Sequence, residues 1–293
     1  MGRTEIFVGI DQTGACRPGQ PHLPRPLPMA WFRPKSGRLE IAPKGLERFD
    51  PELIAEMTQC DPGDLTILID CVLGLPSEIL RSHGFEVSLR RLERIEQLDP
   101  RAPFGREASQ HFFSEILEQG WRPAPGGSRP YPERAAEQLA GANSVFRTHP
   151  FQKNIQTGTY RIWRELSRCR RSVRLWPFEG SENSGYSGAR LHEGYPSLLW
   201  REYLEFKART PQKLPACLRA RGVQLSSAAA RQIASNADLA DAAVLAFGGF
   251  LLKTRGLLGP VDHPKARTEG WIAGLSPQAT TRATSTASRP RSR

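Results

Sequence analysis

Ile6-Phe7-Val8-Gly9-Ile10-Asp11 is a continuous apolar run that ends abruptly in an acid, and Leu65-Thr66-Ile67-Leu68-Ile69-Asp70 repeats the pattern later in the chain. Runs of this length, apolar on successive residues, read as strands covered on both faces. Between them, Met29-Ala30-Trp31-Phe32 and Leu39-Glu40-Ile41 flank Lys35-Ser36-Gly37, a hairpin turn. Pro51 to Thr58 carries Leu53, Ile54 and Met57 at helical spacing, with Pro51 suited to a first turn. Three strands in an antiparallel meander, then a crossover helix returning to a strand parallel to the first, predict an α/β fold. Its sheet is mixed and five-stranded, with helices on both faces.

The remaining elements extend this frame. Residues 77–150 read as a helical insertion, with helical pieces at Leu89–Leu98 and Glu107–Glu118 and a Pro/Gly-rich loop at Arg122–Pro132. Ile155–Cys169 reads as a helix with Tyr160, Trp163 and Leu166 on one stripe. Ser172–Phe178 is a strand, Gly180–Gly188 a flexible loop, and Leu191–Tyr195 a short strand or its exit. Pro196 starts a helix through Phe206, and residues 226–255 are helical. The expected domain runs over residues 1–275. The stretch 276–293, rich in Thr, Ser, Ala, Pro and Arg, reads as a disordered tail.

Acids at strand ends carry the chemistry. If the two apolar strands are parallel neighbours, Asp11 and Asp70 share one sheet edge, about 4.8 Å apart per strand step, where open α/β sheets bind ligands. Two close, partly desolvated carboxylates repel, and a divalent cation relieves that repulsion. The plainer reading is that each acid caps the turn after its strand. Asp238 and Asp241 lie about 60° apart on one helix face, in a stretch whose Ala and Gly residues permit close packing against the sheet. Asn236 is placed to cap that helix, and acids in its first turn complement the helix dipole. Glu193, where a late strand gives way to a helix, is a fourth candidate ligand, whereas the neighbouring His192 reads as a surface residue.

Composition narrows the classes. Of 293 residues, 39% are hydrophobic and 24% charged, as in a globular chain. The longest nearly apolar run, Ala242–Leu252, is far short of the roughly 20 residues that span a bilayer. The N-terminal apolar run is too short for a signal peptide, so no membrane partner and a cytoplasmic location are expected. Five scattered cysteines, with no paired spacing, disfavour structural zinc. The net charge of +11 is concentrated: residues 1–150 hold 18 Lys/Arg against 20 Asp/Glu, whereas residues 151–275 hold 19 against 10. A basic second half suits a phosphate backbone, although a solvated arginine-rich surface has the same composition.

Several motifs, taken in order, carry a family resemblance. They are Gly9-Ile10-Asp11, Ile69-Asp70-Cys71-Val72-Leu73-Gly74-Leu75-Pro76, the stretch Pro150–Thr159, His192-Glu193-Gly194-Tyr195-Pro196, Asp238-x-x-Asp241-Ala242 and Glu269-Gly270-Trp271-Ile272. Together, from about residue 5 to 273, they resemble the DUF429 family of predicted RNase H-like nucleases. The resemblance implies an RNase H-like fold and an acidic site of Asp11, Asp70, Glu193 and Asp238 or Asp241. Gln12-Thr13-Gly14-Ala15 departs from the Gly-Gly-Trp found there in other members.

The functional expectation is a metal-dependent nuclease. Mg²⁺ or Mn²⁺, for which carboxylate and water are suitable ligands, would be held by Asp11, Asp70, Glu193, Asp238 and Asp241. Phosphate contacts would come from Arg161, Arg164, Arg168, Arg170, Arg171 and Arg174. Two alternatives are a non-catalytic module of the same fold that binds nucleic acid or protein, and a phosphotransferase of the actin and sugar-kinase type. The last needs a duplicated half and a second glycine turn, and the sequence has neither.

Overall fold

The computed structural model describes residues 5–12, 16–17, 19–82, 104–121, 131–147, 155–178 and 187–277. The expected Leu89–Leu98 helix, and most of the Arg122–Pro132 loop, the Gly180–Gly188 loop and the tail, lie outside these residues.

The first apolar run forms β1 (Ile6–Ile10). A small ribbon of β2 (Cys16–Arg17) and β3 (Gln20–Pro24) follows, then the hairpin of β4 (Met29–Arg33) and β5 (Arg38–Ile41). Helix α1 (Pro51–Thr58) starts at Asp50, whose carboxylate accepts from the Glu52 and Leu53 amides. It leads to β6 (Leu65–Ile69). The insertion contributes α2 (Ser77–Ser82), α3 (Arg106–Gly120) and α4 (Ala135–Ala140). Helix α5 (Ile155–Cys169) then precedes β7 (Val173–Leu175) and β8 (Ala189–Glu193). The chain closes with a single turn α6 (Pro196–Leu198), α7 (Leu214–Ala220), α8 (Ser227–Ser235), α9 (Ala237–Thr254) and α10 (Ala266–Glu269).

The main sheet has the order β5-β4-β1-β6-β8-β7. The meander β1-β4-β5 is antiparallel, and β1, β6, β8 and β7 are mutually parallel. The α/β fold with a mixed sheet is therefore as expected, but with six strands instead of five. The difference lies late in the chain, where Ala189–Glu193 is a full strand between β6 and β7 and not merely a strand exit. Registers Ile10↔Ile69 and Ile69↔Glu193 bring the ends of β1, β6 and β8 to one edge.

Burial follows the alternation of side chains across the sheet. Ile6, Val8, Ile10, Ile67, Ile69 and Leu191 share a core with Tyr160, Trp163 and Leu166 of α5. Phe7 and Leu68 face the other way, onto α9. Helix α9 is apolar on nearly every side and sits directly on β1. A Cβ at Gly9 would lie 2.0 Å from the Ala242 carbonyl oxygen and 2.4 Å from the Ala246 amide nitrogen, so only glycine permits this approach.

Two helical expectations are corrected. Residues 226–255 do not form one helix: Asn236, in extended backbone, separates α8 from α9, which meet at 118°. Its side chain accepts from the Leu239 amide and caps α9, as anticipated. The segment from Pro196 stops short of Phe206, passing from α6 into a π-helical stretch, Leu199–Tyr203. Among the described residues no single helix is long and apolar enough to cross a membrane.

Candidate carboxylate site

All five acids singled out in the sequence line one cleft of about 450 Å³ at the edge where β1, β6 and β8 end. Asp11 follows β1 and Asp70 follows β6. The Asp70 amide donates to the Ile10 carbonyl at 3.0 Å, extending the parallel ladder so that the two aspartates are neighbours. Each carboxyl perturbs the other. Burial, and then the nearby charges of Asp70, Asp241 and Asp238, hold the Asp11 carboxyl well above the usual range. Burial and Asp241 push Asp70 up to about 7, with Arg209 opposing the rise. Two neighbouring carboxyls whose charged forms are disfavoured by burial and by the acids around them hold protons more tightly than free carboxyls.

The other acids differ in burial. Asp241 is buried: its Oδ1 accepts from Trp200 Nε1 at 2.6 Å and its Oδ2 from Arg209 Nη1 at 2.7 Å. Arg209 also donates to Ser197 Oγ at 2.7 Å, and its side chain is 46% exposed. Asp238, in the first turn of α9, is partly exposed to the cleft.

Glu193 is not the exposed acid that its sequence context suggested. It is buried at the end of β8, and both its oxygens accept from Arg134, at 2.7 and 2.5 Å. The Leu73 amide adds a third bond at 2.9 Å. Arg134 is itself buried, donates to Glu137 through Nε at 2.9 Å, and is held firmly protonated by both glutamates. His192 is likewise not at the surface: as its neighbour in β8 it points to the opposite sheet face and is buried there.

The arginine cluster is also divided. Arg161 is buried and donates to Glu165, to the Arg25 carbonyl and to the Glu47 carbonyl, so it braces α5 and cannot reach a phosphate. Arg164 lies 5.5 Å from the Tyr160 ring centroid. Arg168 and Arg171 are exposed at the far end of α5. Its other end, Ile155, lines the acidic cleft, roughly 22 Å away for a helix of 15 residues. Arg174 lines a different cavity, and the Arg170 side chain is outside what the structure describes.

Arg134, Arg209 and Trp200 are the functional neighbours that sequence reasoning missed. Arg134 stands at helical spacing from Glu137, but its pairing with Glu193, and those of Arg209 and Trp200 with Asp241, come only through the fold.

The donor set suits a hard cation. Asp11, Asp70 and Asp238 offer carboxylate oxygens, and the repulsion among the clustered acids, which with burial raises the affinity of the first two for protons, is what a cation would relieve. Among the described residues no three His, Cys, Asp or Glu side chains already stand arranged to hold a metal ion. The arginines account for part of this, since Glu193 and Asp241 spend their oxygens on Arg134 and Arg209. Comparison of the chain with protein families, with characterised proteins and with solved structures returns no match.

Proposed function

We propose that this chain is an RNase H-like, metal-dependent nuclease that hydrolyses phosphodiesters at the carboxylate cleft. One observation carries the reading: Asp11 and Asp70, on adjacent parallel strand ends, share one cleft with Asp238 and Asp241, and burial and repulsion from neighbouring acids raise the pKa of both. The antiparallel meander continued by parallel strands, and the motif resemblance to DUF429, support the same assignment.

Asp11, Asp70 and Asp238 are the residues that would hold Mg²⁺ or Mn²⁺. When bound, the ion supplies Lewis acidity to a phosphoryl oxygen and a more acidic water. The protein's own groups do the rest. Asp11 and Asp70 lose their protons to become the anionic pair. Arg209, half-exposed at the cleft wall, neutralises Asp241 and presents a guanidinium suited to phosphate oxygens. Glu193 acts through Arg134 as a positioning residue, fixing the Leu73 amide and the end of β8.

The test is hydrolysis of single- and double-stranded DNA and RNA with and without Mn²⁺, for the wild type and Asp70→Asn. Mn²⁺-dependent cleavage abolished in Asp70→Asn is expected. One observation favours a non-catalytic nucleic-acid-binding module instead: two of the five acids are already neutralised by arginines. Retained binding without any turnover would select that reading.

A further inference from the structure

A second cavity, of about 410 Å³, opens near the other end of the same strands. Glu5 precedes β1, and Thr66 and Arg190 lie near the starts of β6 and β8. One wall is Leu175, Trp176 and Pro177 after β7; the other is the segment Leu258–Val261 after α9. Trp176 Nε1 donates to the Gly259 carbonyl at 2.9 Å and ties the walls together.

The charge of this cavity is opposite to that of the carboxylate cleft. Arg174, Arg190, Lys253 and Arg267 line it, from four separate elements, and among the described residues Glu5 is the acid in its lining. Glu5 is already engaged by Arg190 at 2.8 Å and by Thr66 Oγ1 at 2.6 Å. A cation in the last turn of a helix is ordinary, and that accounts for Lys253. It does not account for Arg174 of β7 or the exposed Arg267 of α10 converging on the same space.

His192 adds a second, independent feature. Its ring is 3% exposed, stacks on Trp176 with centroids 5.1 Å apart, and its Nδ1 has no hydrogen-bond partner among the described residues. Buried polar atoms without partners are uncommon in native proteins, and a ligand is one way to satisfy them.

We infer that this cavity is a second ligand site, separate from the carboxylate cleft, which takes a small organic phosphate of mononucleotide size. A cavity of a few hundred Å³ with apolar walls and a few placed polar groups is built for a small molecule. Trp176, Pro260 and Val261, none of them fully buried, give an organic body apolar surface that a bare inorganic ion would not use. The guanidinium and ammonium groups that line it suit a phosphate monoester.

The test is calorimetric titration of the full chain with adenosine 5′-monophosphate, with adenosine and inorganic phosphate as separate arms. The nucleotide is expected to bind, with both fragments at least about tenfold weaker. Arg267→Glu and Lys253→Ala, at partly or fully exposed positions on different elements, should each weaken the nucleotide about tenfold. Asp70→Asn should leave its affinity unchanged. Equal affinity for inorganic phosphate, no binding at millimolar nucleotide, or affinity lost in Asp70→Asn but kept in both cation variants would each overturn the proposal. Hydrolytic activity is not part of the readout, so failure here and failure of the nuclease reading are distinguishable.

Discussion

The Asp70 amide donates to the Ile10 carbonyl at 3.0 Å, one residue past the last paired register of β1 and β6, and this bond seats Asp70 beside Asp11. Backbone geometry therefore forces two carboxyls together whatever their charge. Their protonation has to adjust, and the chemistry of the cleft follows from that adjustment.

The first consequence is a pH dependence of stability. Asp70 has a folded-state pKa of about 7, above its unfolded value of 3.8. Its protonated form is favoured in the fold, so its contribution is fully present below about pH 4 and is lost as pH rises through about 7. Asp70→Asn removes that loss. Urea denaturation should show the variant more stable than wild type at pH 8, by up to about 4 kcal/mol, with the gain shrinking towards pH 4. A constant difference across this window would mean that the carboxyl does not titrate as described.

Metal should act on the same pair. Addition of Mn²⁺ should raise the melting temperature of the wild type, more strongly at pH 8 than at pH 5, because protons compete for Asp11 and Asp70. Asp11→Asn should abolish most of the shift. The same shift in both proteins would place the ion elsewhere.

The two arginine–carboxylate pairs should differ in weight. Arg134→Ala leaves Glu193 and Glu137 buried without their common partner, a loss of about 3–5 kcal/mol. Arg209 is half-exposed, so solvent screens its pairing with Asp241. Arg209→Ala should cost about 1 kcal/mol. Chemical denaturation of both variants checks the ordering. Comparable losses would mean that burial does not set the strength of these pairs.

Gly9→Ala should destabilise by about 1–3 kcal/mol or more, through overpacking. The added methyl meets backbone atoms of α9, the Ala242 carbonyl and the Ala246 amide, which cannot step aside as a side chain can. Gly222→Ala provides a comparison, since nothing lies within 4 Å of its Cβ position and its φ of +81° leaves only backbone strain. A Gly9 variant no less stable than the Gly222 variant would refute the close helix–strand contact as the cause.

The sequence by itself determined the strands that end in Asp11 and Asp70, the antiparallel hairpin of Met29–Arg33 and Arg38–Ile41, the helices at Pro51–Thr58 and Ile155–Cys169, and the capping of α9 by Asn236. Each rests on local rules: apolar runs, turn residues, helical spacing, a side chain reaching the next turn. The convergence of the acids was legible for a related reason, since parallel strands that end in acids put them on one edge. Tertiary structure alone decided the sixth strand, because Ala189–Glu193 reads locally as no more than a short strand or its exit and becomes a full strand by pairing with β6 on one side and β7 on the other. It also decided which carboxylates are engaged. Arg134 meets Glu193 across 59 residues and Arg209 meets Asp241 across 32, contacts between distant segments that no local spacing records. The same holds for His192, whose burial follows from the packing of Trp176 beside it and not from any feature of the residues around it in the chain.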